Sequence, residues 1–470
     1  MLFRILCLCS FFIFLLSCSM QKQIGHLAGE DILSNTALQS AHIGISVFDP
    51  ANNQYLYNYQ GDKYFVPASN TKLFSLYAGM KYLGDSLTGI RYMETDTAIF
   101  ILPSGDPTLL HPDYKKQPVI EFLKKTNKNI YIANTNWNDQ ALGAGWSWDD
   151  YNDDYMAERS PLPVYGNIIR WVQEKQKQQQ QDINFDPSPV IYSNPEVNWK
   201  VRFTTGRSQK YFFVKRRKEE NVFDITQGNE VYKAQDVPFI TNGLASAIEL
   251  LKDTVGREVF ITNHLPEQEI PNPARKIKAS HIGMSMSGES PDDIHEQIIH
   301  SQPADSLFRP MMYRSDNFFA EQTLLMVSNE KLGMMNDEKI IDTLLKTDLK
   351  ELPQPPGWAD GSGLSRFNLF TPNDFAWLLN RIKNEFGIDR MKHILPTGGT
   401  GTLGNYFKQD SGYIFAKTGS LSNVICLSGY VYTLKNRLLI FSVLVNNHRT
   451  TGSTVRRAVE KFIVALRRKY

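Results

Sequence analysis

Alternation of apolar and polar positions marks the first regular stretch of the chain. Ile43-Gly44-Ile45-Ser46-Val47-Phe48-Asp49 leads into a turn at Pro50-Ala51-Asn52-Asn53, and aromatics then alternate with polar residues over Gln54–Gln60. The pattern predicts strand, turn, strand. Pro67–Leu83 has no internal proline and carries apolar residues at 73, 74, 76, 77 and 80, the spacing of a buried helix. From about Ile90 to Ile277 the texture changes. Short strand-like runs (Ala98–Leu102, Asn129–Ala133, Val201–Thr205, Tyr211–Val214) alternate with polar loops, a helix is expected near Gly243–Leu251, and the glutamine run in Glu174–Asp182 is a low-complexity loop. From about Ser287 the pattern turns helical again, through Asp316–Val327, Asp337–Thr347 and Pro372–Phe386. Two strands (Val424–Tyr432, Leu438–Val445) and a basic amphipathic helix (Ser453–Arg468) close the chain. The two ends thus predict one α/β domain, an antiparallel sheet with helices on both faces, split into residues 25–88 and 279–470. The segment 89–278 is a large β-rich insertion of one or two modules. No internal repeat is visible.

The N-terminus fixes an expected compartment. Arg4 precedes an apolar run, Ile5–Leu16, of signal-peptide length and too short to span a bilayer. Residues 1–17 are therefore expected to be a signal peptide. Leu15-Leu16-Ser17-Cys18 resembles a bacterial lipoprotein cleavage box, which would make Cys18 the lipidated residue and place the protein in the periplasm on a membrane anchor. Ordinary cleavage after Ser19, with Ser17 and Ser19 as the small residues, is the alternative. Signal removal leaves at most Cys18 and Cys426. Lipidation of Cys18 leaves Cys426 alone, and its apolar setting, Val424-Ile425-Cys426-Leu427, reads as a small core residue. At 42% hydrophobic and 21% charged, the chain has the composition of a packed globular protein. A net charge of +2 gives no footing for nucleic-acid binding. The basic cluster Lys215-Arg216-Arg217-Lys218, followed by Glu219-Glu220, reads as a solvated hairpin.

Three short motifs occur in order: Ser69-Asn70-Thr71-Lys72 (S-x-x-K), Ser315-Asp316-Asn317 (S-D-N) and Lys417-Thr418-Gly419 (K-T-G). Singly each is weak; Ser328-Asn329-Glu330-Lys331 also fits the first. In this order, the first opening a helix and the last leading into a strand, they form the set found in penicillin-binding proteins and class A β-lactamases. Ser69 and Lys72, three apart, share a helix face. A serine hydroxyl attacks only when a base takes its proton, and Lys72 is that base if burial and a second cation, Lys417, keep it neutral. Helix-start N–H groups at Ser69 face a developing oxyanion. Ser315 is placed to relay a proton to the leaving amine, Asn317 to hold substrate and Lys72, and Lys417 and Thr418 to bind a terminal carboxylate. Gly419 allows close approach to an edge strand.

The chain resembles the class C low-molecular-weight penicillin-binding proteins, the D-alanyl-D-alanine carboxypeptidase/endopeptidase family, from about residue 40 to the end. The long gap between Ser69 and Ser315 is part of the likeness. So are Gly105-Asp106-Pro107-Thr108-Leu109, Gly145-Trp146-Ser147-Trp148-Asp149-Asp150, Asp360-Gly361-Ser362-Gly363-Leu364-Ser365-Arg366, the Leu395–Leu403 stretch, and Lys417–Leu421 read as K-T-G-S-L. The resemblance implies a β-lactamase/transpeptidase-like domain and a penicillin-sensitive serine peptidase acting on peptidoglycan stem peptides and cross-bridges. It implies that Ser69 is acylated, that the N–H groups of Ser69 and Ser420 form the oxyanion hole, and that Asp150 and Arg366 bind the third residue of the stem peptide. β-Lactams are the implied covalent inhibitors. A catalytically weak wall-binding lipoprotein of the same fold and a β-lactamase are the alternatives.

Other constellations are weaker. Gly361-Ser362-Gly363 lacks the first glycine of a nucleophile elbow. His295 and His300 stand five apart, the wrong spacing for a zinc helix. No metal or organic cofactor is expected. The basic residues of the last helix, Arg456 among them, read as the outer face of an amphipathic helix whose Val455, Val459, Phe462 and Leu466 pack on the sheet.

Overall fold

In the computed structural model, residues 21–175, 189–204, 210–266 and 296–470 are described. The signal segment 1–17, Cys18 and the expected onset of helix near Ser287 lie outside them. The chain forms two compact units. One holds the residues up to Met80, Asp305–Ala320 and Ile341–Tyr470; the other holds Lys81–Ala304 and Glu321–Ile340. The second unit therefore takes in more than the segment 89–278 delimited from texture. One reason is that β13 (Gln297–Pro303) pairs antiparallel with β3 (Ser86–Glu94), so chain on both sides of that segment is tied into it.

The first unit is built on an antiparallel five-stranded sheet in the order β14 (Ile414–Leu421), β15 (Val424–Tyr432), β16 (Leu438–Asn446), β1 (His42–Asp49), β2 (Gln54–Tyr59). β15 and β16 are buried almost throughout. Strands covered on both faces lose the inside–outside alternation, and so read as continuous apolar runs. One cover is α9 (Gly452–Lys469), whose Val455, Val459, Phe462, Ile463 and Leu466 join Ile45, Val47, Val443 and Val445 in one core. The other face carries α7 (Pro372–Phe386), whose Leu379 carbonyl accepts from the Tyr430 hydroxyl on β15. α7 begins with a capping box between Thr371 and Asp374 and a proline at its first position. α1 (Lys72–Tyr82) is buried over nine of its residues, and its Phe74 ring packs tilted against Phe370 and edge-on against Phe375.

Three details depart from the sequence pattern. The stretch before β1 is not a bare spacer: residues 21–28 are helical and continue through Gly29–Leu33, burying Ile24, Ala28 and Ile32 against the α9 core. The four-residue spacing of those apolar positions is a helical stripe that their polar neighbours conceal. The helix expected from Pro67 starts as a separate 3-10 turn, Ala68–Thr71, because Ala68 has φ +49°. K-T-G does not precede a strand but lies inside β14, an edge strand with too few apolar residues for its pattern to register.

In the second unit, a five-stranded sheet runs β12 (Val259–Thr262), β5 (Asn129–Ala133), β4 (Ala98–Pro103), β3, β13. β4, β5 and β12 run parallel, and two three-stranded sheets accompany it. It also holds helices α2 (Pro118–Lys125) and α3 (Ala245–Val255). The expected solvated hairpin is present as β9 (Phe213–Arg217) and β10 (Glu220–Thr226), yet Arg216 points inward and donates to the Pro238 and Arg217 carbonyls. Strand alternation puts every second residue of a basic run inside.

Candidate active site

Lys72 is fully buried at the start of α1. Its Nζ lies 2.9 Å from the Ser69 Oγ, 2.6 Å from the Asn317 Oδ1 and 2.7 Å from the Ser362 carbonyl oxygen. Two of these partners can only accept. A neutral lysine has two N–H bonds and one lone pair. Charged, Lys72 donates to all three; once it has lost a proton, with its two N–H bonds on Asn317 and Ser362, the lone pair faces the Ser69 hydroxyl, the geometry a general base requires.

The Ser362 carbonyl is placed by a loop with its own organiser. The Asp360 carboxylate is buried and accepts from the Gly363 N–H (2.7 Å), the Ser365 N–H (2.6 Å) and the Asn368 amide (2.8 Å). The neighbouring Gly361 carbonyl accepts from the Ser75 hydroxyl of α1 at 2.5 Å. Asp360 thus folds the D-G-S-G-L-S loop, and α1 holds it at Lys72 and Ser75. Sequence reasoning weighed Ser362 as a nucleophile and missed that its main-chain oxygen serves Lys72. A backbone acceptor leaves no side-chain signature; the indirect signal was two glycines beside a buried aspartate.

Ser315 and Asn317 stand on the turn into α5 (Asn317–Leu332). Asp316 accepts from the Phe319 N–H at 3.0 Å, so the middle residue of S-D-N is the helix N-cap. Ser315, at φ +61°, is held in a left-handed conformation unusual for serine. Its Oγ accepts from the Lys417 Nζ at 2.8 Å.

Lys417 is also fully buried, and its Nζ lies 2.6 Å from the Thr418 carbonyl. Burial, with the Lys72 charge beside it, pushes the Lys417 ammonium well below its ordinary value. The sequence assigned Lys417 as the cation that depresses Lys72; in the structure Lys417 is itself held low, because no carboxylate among the described residues bonds to it. A depressed lysine lowers stability wherever it is charged in the folded state, so the unfolded chain binds more protons across that window and stability rises with pH toward the ordinary lysine value. Wild-type protein should therefore gain thermal stability relative to Lys417→Met between pH 7 and pH 10, measured as the difference in Tm. A difference that stays constant or shrinks would contradict the depressed ammonium.

β14 is the edge of its sheet. The Ala416 N–H donates to the Pro396 carbonyl on the outer side, at 3.1 Å. Residues two apart in a strand point their N–H groups the same way, so those of Thr418 and Ser420 face the open edge. Gly419 faces the Ser69 turn: a Cβ there would sit 2.5 Å from the Pro67 carbonyl and 3.1 Å from the Asn70 nitrogen. Any side chain would push the strand off the nucleophile.

Ser69, Lys72, Ser315, Asn317, Lys417, Thr418, Gly419, Ser420 and Arg366 all belong to the first unit. Arg366 is exposed and donates to the Ser422 carbonyl at 2.9 Å, beside the end of β14. Asp150 belongs to the second unit, where its backbone closes turns with Ser147 and Asp153. No cluster of metal-ligating side chains is present among the described residues.

A family model described as D-Ala-D-Ala carboxypeptidase 3 (S13) matches residues 28–470. The chain belongs to the S13 family. An S13 assignment agrees with the relatives. The chain is 25% identical over 458 residues to the D-alanyl-D-alanine carboxypeptidase of Actinomadura sp. (strain R39), covering 89% of this chain and 80% of that one. It is 24% identical to the D-alanyl-D-alanine carboxypeptidase DacB of Haemophilus influenzae, over 88% and 87% of the two chains. The crystal structure of penicillin binding protein 4 from Haemophilus influenzae superposes with a TM-score of 0.67 at 18% identity, covering 94% of this chain and 98% of that one. That match supports the fold: an α/β domain with an antiparallel sheet between helices, plus added β-rich structure.

Proposed function

We propose that this S13 chain is a penicillin-sensitive serine peptidase that cleaves the D-Ala-D-Ala end of peptidoglycan stem peptides, and related cross-bridges, through an acyl-enzyme on Ser69. The observation that carries this reading is the placement of the Lys72 Nζ, 2.9 Å from the Ser69 Oγ and between two groups that can only accept, so that a deprotonated amine turns its lone pair to the hydroxyl. Lys72 takes the hydroxyl proton as Ser69 Oγ bonds to the carbonyl carbon of the penultimate D-Ala. The Ser69 N–H, in the first turn where no preceding turn supplies an acceptor, and the edge-facing Ser420 N–H hold the oxyanion. The C–N bond breaks as Ser315 gives the departing amine a proton, replenished from the lysines around it. Water then attacks the ester, with Lys72 again taking the proton. A peptide laid along the open edge of β14 would add as a strand, with Asn317 and Thr418 on its backbone and carboxylate. Arg366 and Asp150 are assigned to the third residue of the stem peptide, a carboxylate and an ammonium suiting them respectively. β-Lactams would acylate Ser69 and leave slowly. No cofactor enters.

Action on the wall requires export. The apolar run Ile5–Leu16 with Cys18 supports a periplasmic protein held by lipid at that cysteine. Among the described residues no helix is long and apolar enough to cross a membrane. The deciding experiment is intact-protein mass spectrometry after benzylpenicillin: one penicilloyl adduct is expected, on the peptide containing Ser69. No adduct on folded protein, or an adduct elsewhere, would end this reading.

A further inference from the structure

The Ser69 turn is fastened to the five-stranded sheet at both ends. Before it, the Val66 N–H donates to the Asn446 Oδ1 at 2.7 Å, and the Val66 carbonyl accepts from the Asn446 Nδ2 at 3.1 Å, at the end of β16. After it, Asn70 is fully buried, and its Nδ2 donates to the Ser428 Oγ on β15 at 2.7 Å. Ser428 stands opposite Lys417 in the β14–β15 register, so this bond lands one strand behind the K-T-G motif. An amide nitrogen can only donate, so Ser428 accepts there with its own proton available to the Ser442 hydroxyl, 2.8 Å away on β16. The Asn70 Oδ1 is buried with no hydrogen-bond partner among the described residues. A buried acceptor left unmet is costly, and asparagine stands here all the same. Gly419 supplies the opposing contact. A Cβ on it would lie 2.5 Å from the Pro67 carbonyl oxygen and 3.2 Å from the Asn70 Oδ1, so turn and strand already meet at their closest approach. The Asn70 bond draws the turn onto the sheet, and the Gly419 backbone stops it.

We infer that Asn70 is a positioning residue whose amide, held by the Ser428 hydroxyl, sets the gap between the Ser69 turn and β14, and with it the width of the oxyanion hole. This rests on the function proposed above, in which the Ser69 and Ser420 N–H groups are the two donors. One donor rides on the turn and the other on the edge strand. Strand pairing fixes Ser420, which stands opposite Ile425, but does nothing for the turn. The Asn70 amide is what holds the turn to the sheet on the Ser69 side. Donors of such a hole must meet the oxygen at the place it occupies once charged, so a small shift weakens the tetrahedral state more than the bound substrate. Asn70 touches neither the substrate nor the bonds that change; it acts through Ser69. Its effect therefore falls on the acylation step and not on substrate binding. With Val66 still clamped by Asn446, loss of the Asn70 bond lets the turn pivot without detaching, so the fold survives and the alignment does not.

The test resolves benzylpenicillin acylation of Ser69 into two constants, the dissociation constant of the non-covalent complex and the rate of acylation within it, alongside a melting curve for each protein. Asn70→Ala removes the donor and Ser428→Ala the acceptor, two routes to the same broken bond, so that if one variant does not fold the other still decides. Each should lower the rate within the complex about 10- to 100-fold and leave the dissociation constant within a few-fold of wild type. The double variant should fall no further than the worse single one. Ser442→Ala also deletes a buried hydroxyl but leaves the Asn70–Ser428 bond, so its acylation rate should stay within a few-fold of wild type even where its Tm drops as far. Rates that simply track Tm across the set, a loss confined to the dissociation constant, or losses that multiply in the double variant would each overturn the inference. Normal acylation by wild type with an unchanged rate in Asn70→Ala would overturn it alone, whereas no acylation of the wild type would overturn the peptidase reading and this one with it.

Discussion

Lys72→Arg should fold and yet lose Ser69 acylation by a factor of about 10² to 10⁴, the range that a positioned general base supplies. The substitution preserves charge and can still donate to the Asn317 Oδ1 and the Ser362 carbonyl, the two acceptors 2.6 and 2.7 Å from the native amine. What it removes is the lone pair. A guanidinium offers five N–H donors and no acceptor and does not deprotonate in proteins. If Lys72 worked only as a positive charge that steadies an oxyanion or orients Ser69, arginine would be a fair replacement. Lys72→Met makes the opposite test, since it removes charge and base together but leaves the Ser362 carbonyl and Asn317 short of a donor. The base reading requires both variants to fall into the same low range. The rate is read as the second-order constant for penicilloyl formation on intact protein, alongside a melting curve. An arginine variant within tenfold of wild type would refute the base assignment.

The chemistry was legible in the sequence because its parts are side chains at fixed short spacings. Lys72 lies three positions after Ser69, and Asn317 two after Ser315, so local backbone geometry alone brings each pair together. What periodicity could not show was how the motifs meet one another. The Lys72–Asn317 and Ser315–Lys417 bonds join residues 245 and 102 positions apart and depend on strand order. The α/β reading of the two chain ends succeeded because β15, β16 and α7 have strong patterns: apolar runs for doubly covered strands, a proline-led capping box for the helix. It failed where the pattern was short or masked. β14 is half polar because its edge is left open, and the N-terminal helix shows only three stripe residues. Arg456 was read as an outer-face residue of an amphipathic helix, yet its Nη2 donates to the Ser420 Oγ at 2.8 Å; periodicity gives the face of a helix but not the strand residue it reaches.

Strain also lay beyond the sequence's reach. Ala68, just before the nucleophile, and Ser315, just before α5, both have positive φ, +49° and +61°. Non-glycine residues there cost free energy and persist where the surroundings over-determine them. Around Ala68 the surroundings are identifiable. The Ala68 carbonyl accepts from the Thr71 hydroxyl at 2.9 Å, and the D-G-S-G loop presses on it from the other side. The loop that supplies the Ser362 carbonyl to Lys72 is therefore also the loop against which the Ser69 turn is moulded.

Gly363→Ala should for this reason injure stability and activity together. A Cβ at Gly363 would lie 1.9 Å from the Ala68 carbonyl oxygen and 2.8 Å from the Thr71 Oγ1, and the residue has φ +82°. Positive φ disfavours any L side chain, and overpacking against backbone adds to that, so the expected loss is about 2–5 kcal/mol. Gly412 is the control within the same unit: it has φ +79°, but nothing lies within 4 Å of its added Cβ. Gly412→Ala should lose only the conformational part, about 1–2 kcal/mol, and keep its acylation rate. The difference between the two isolates the contact between loop and turn. Relief of the clash must move either Ala68, and Ser69 with it, or the Asp360-bound loop, and with it the Ser362 carbonyl that orients Lys72. Both routes spoil the alignment of hydroxyl and amine. Denaturant unfolding gives the stability of each variant, and benzylpenicillin acylation on the folded fraction gives its activity. Equal stability losses in the two variants, or a Gly363→Ala protein that acylates at the wild-type rate, would show that the loop does not shape the nucleophile turn.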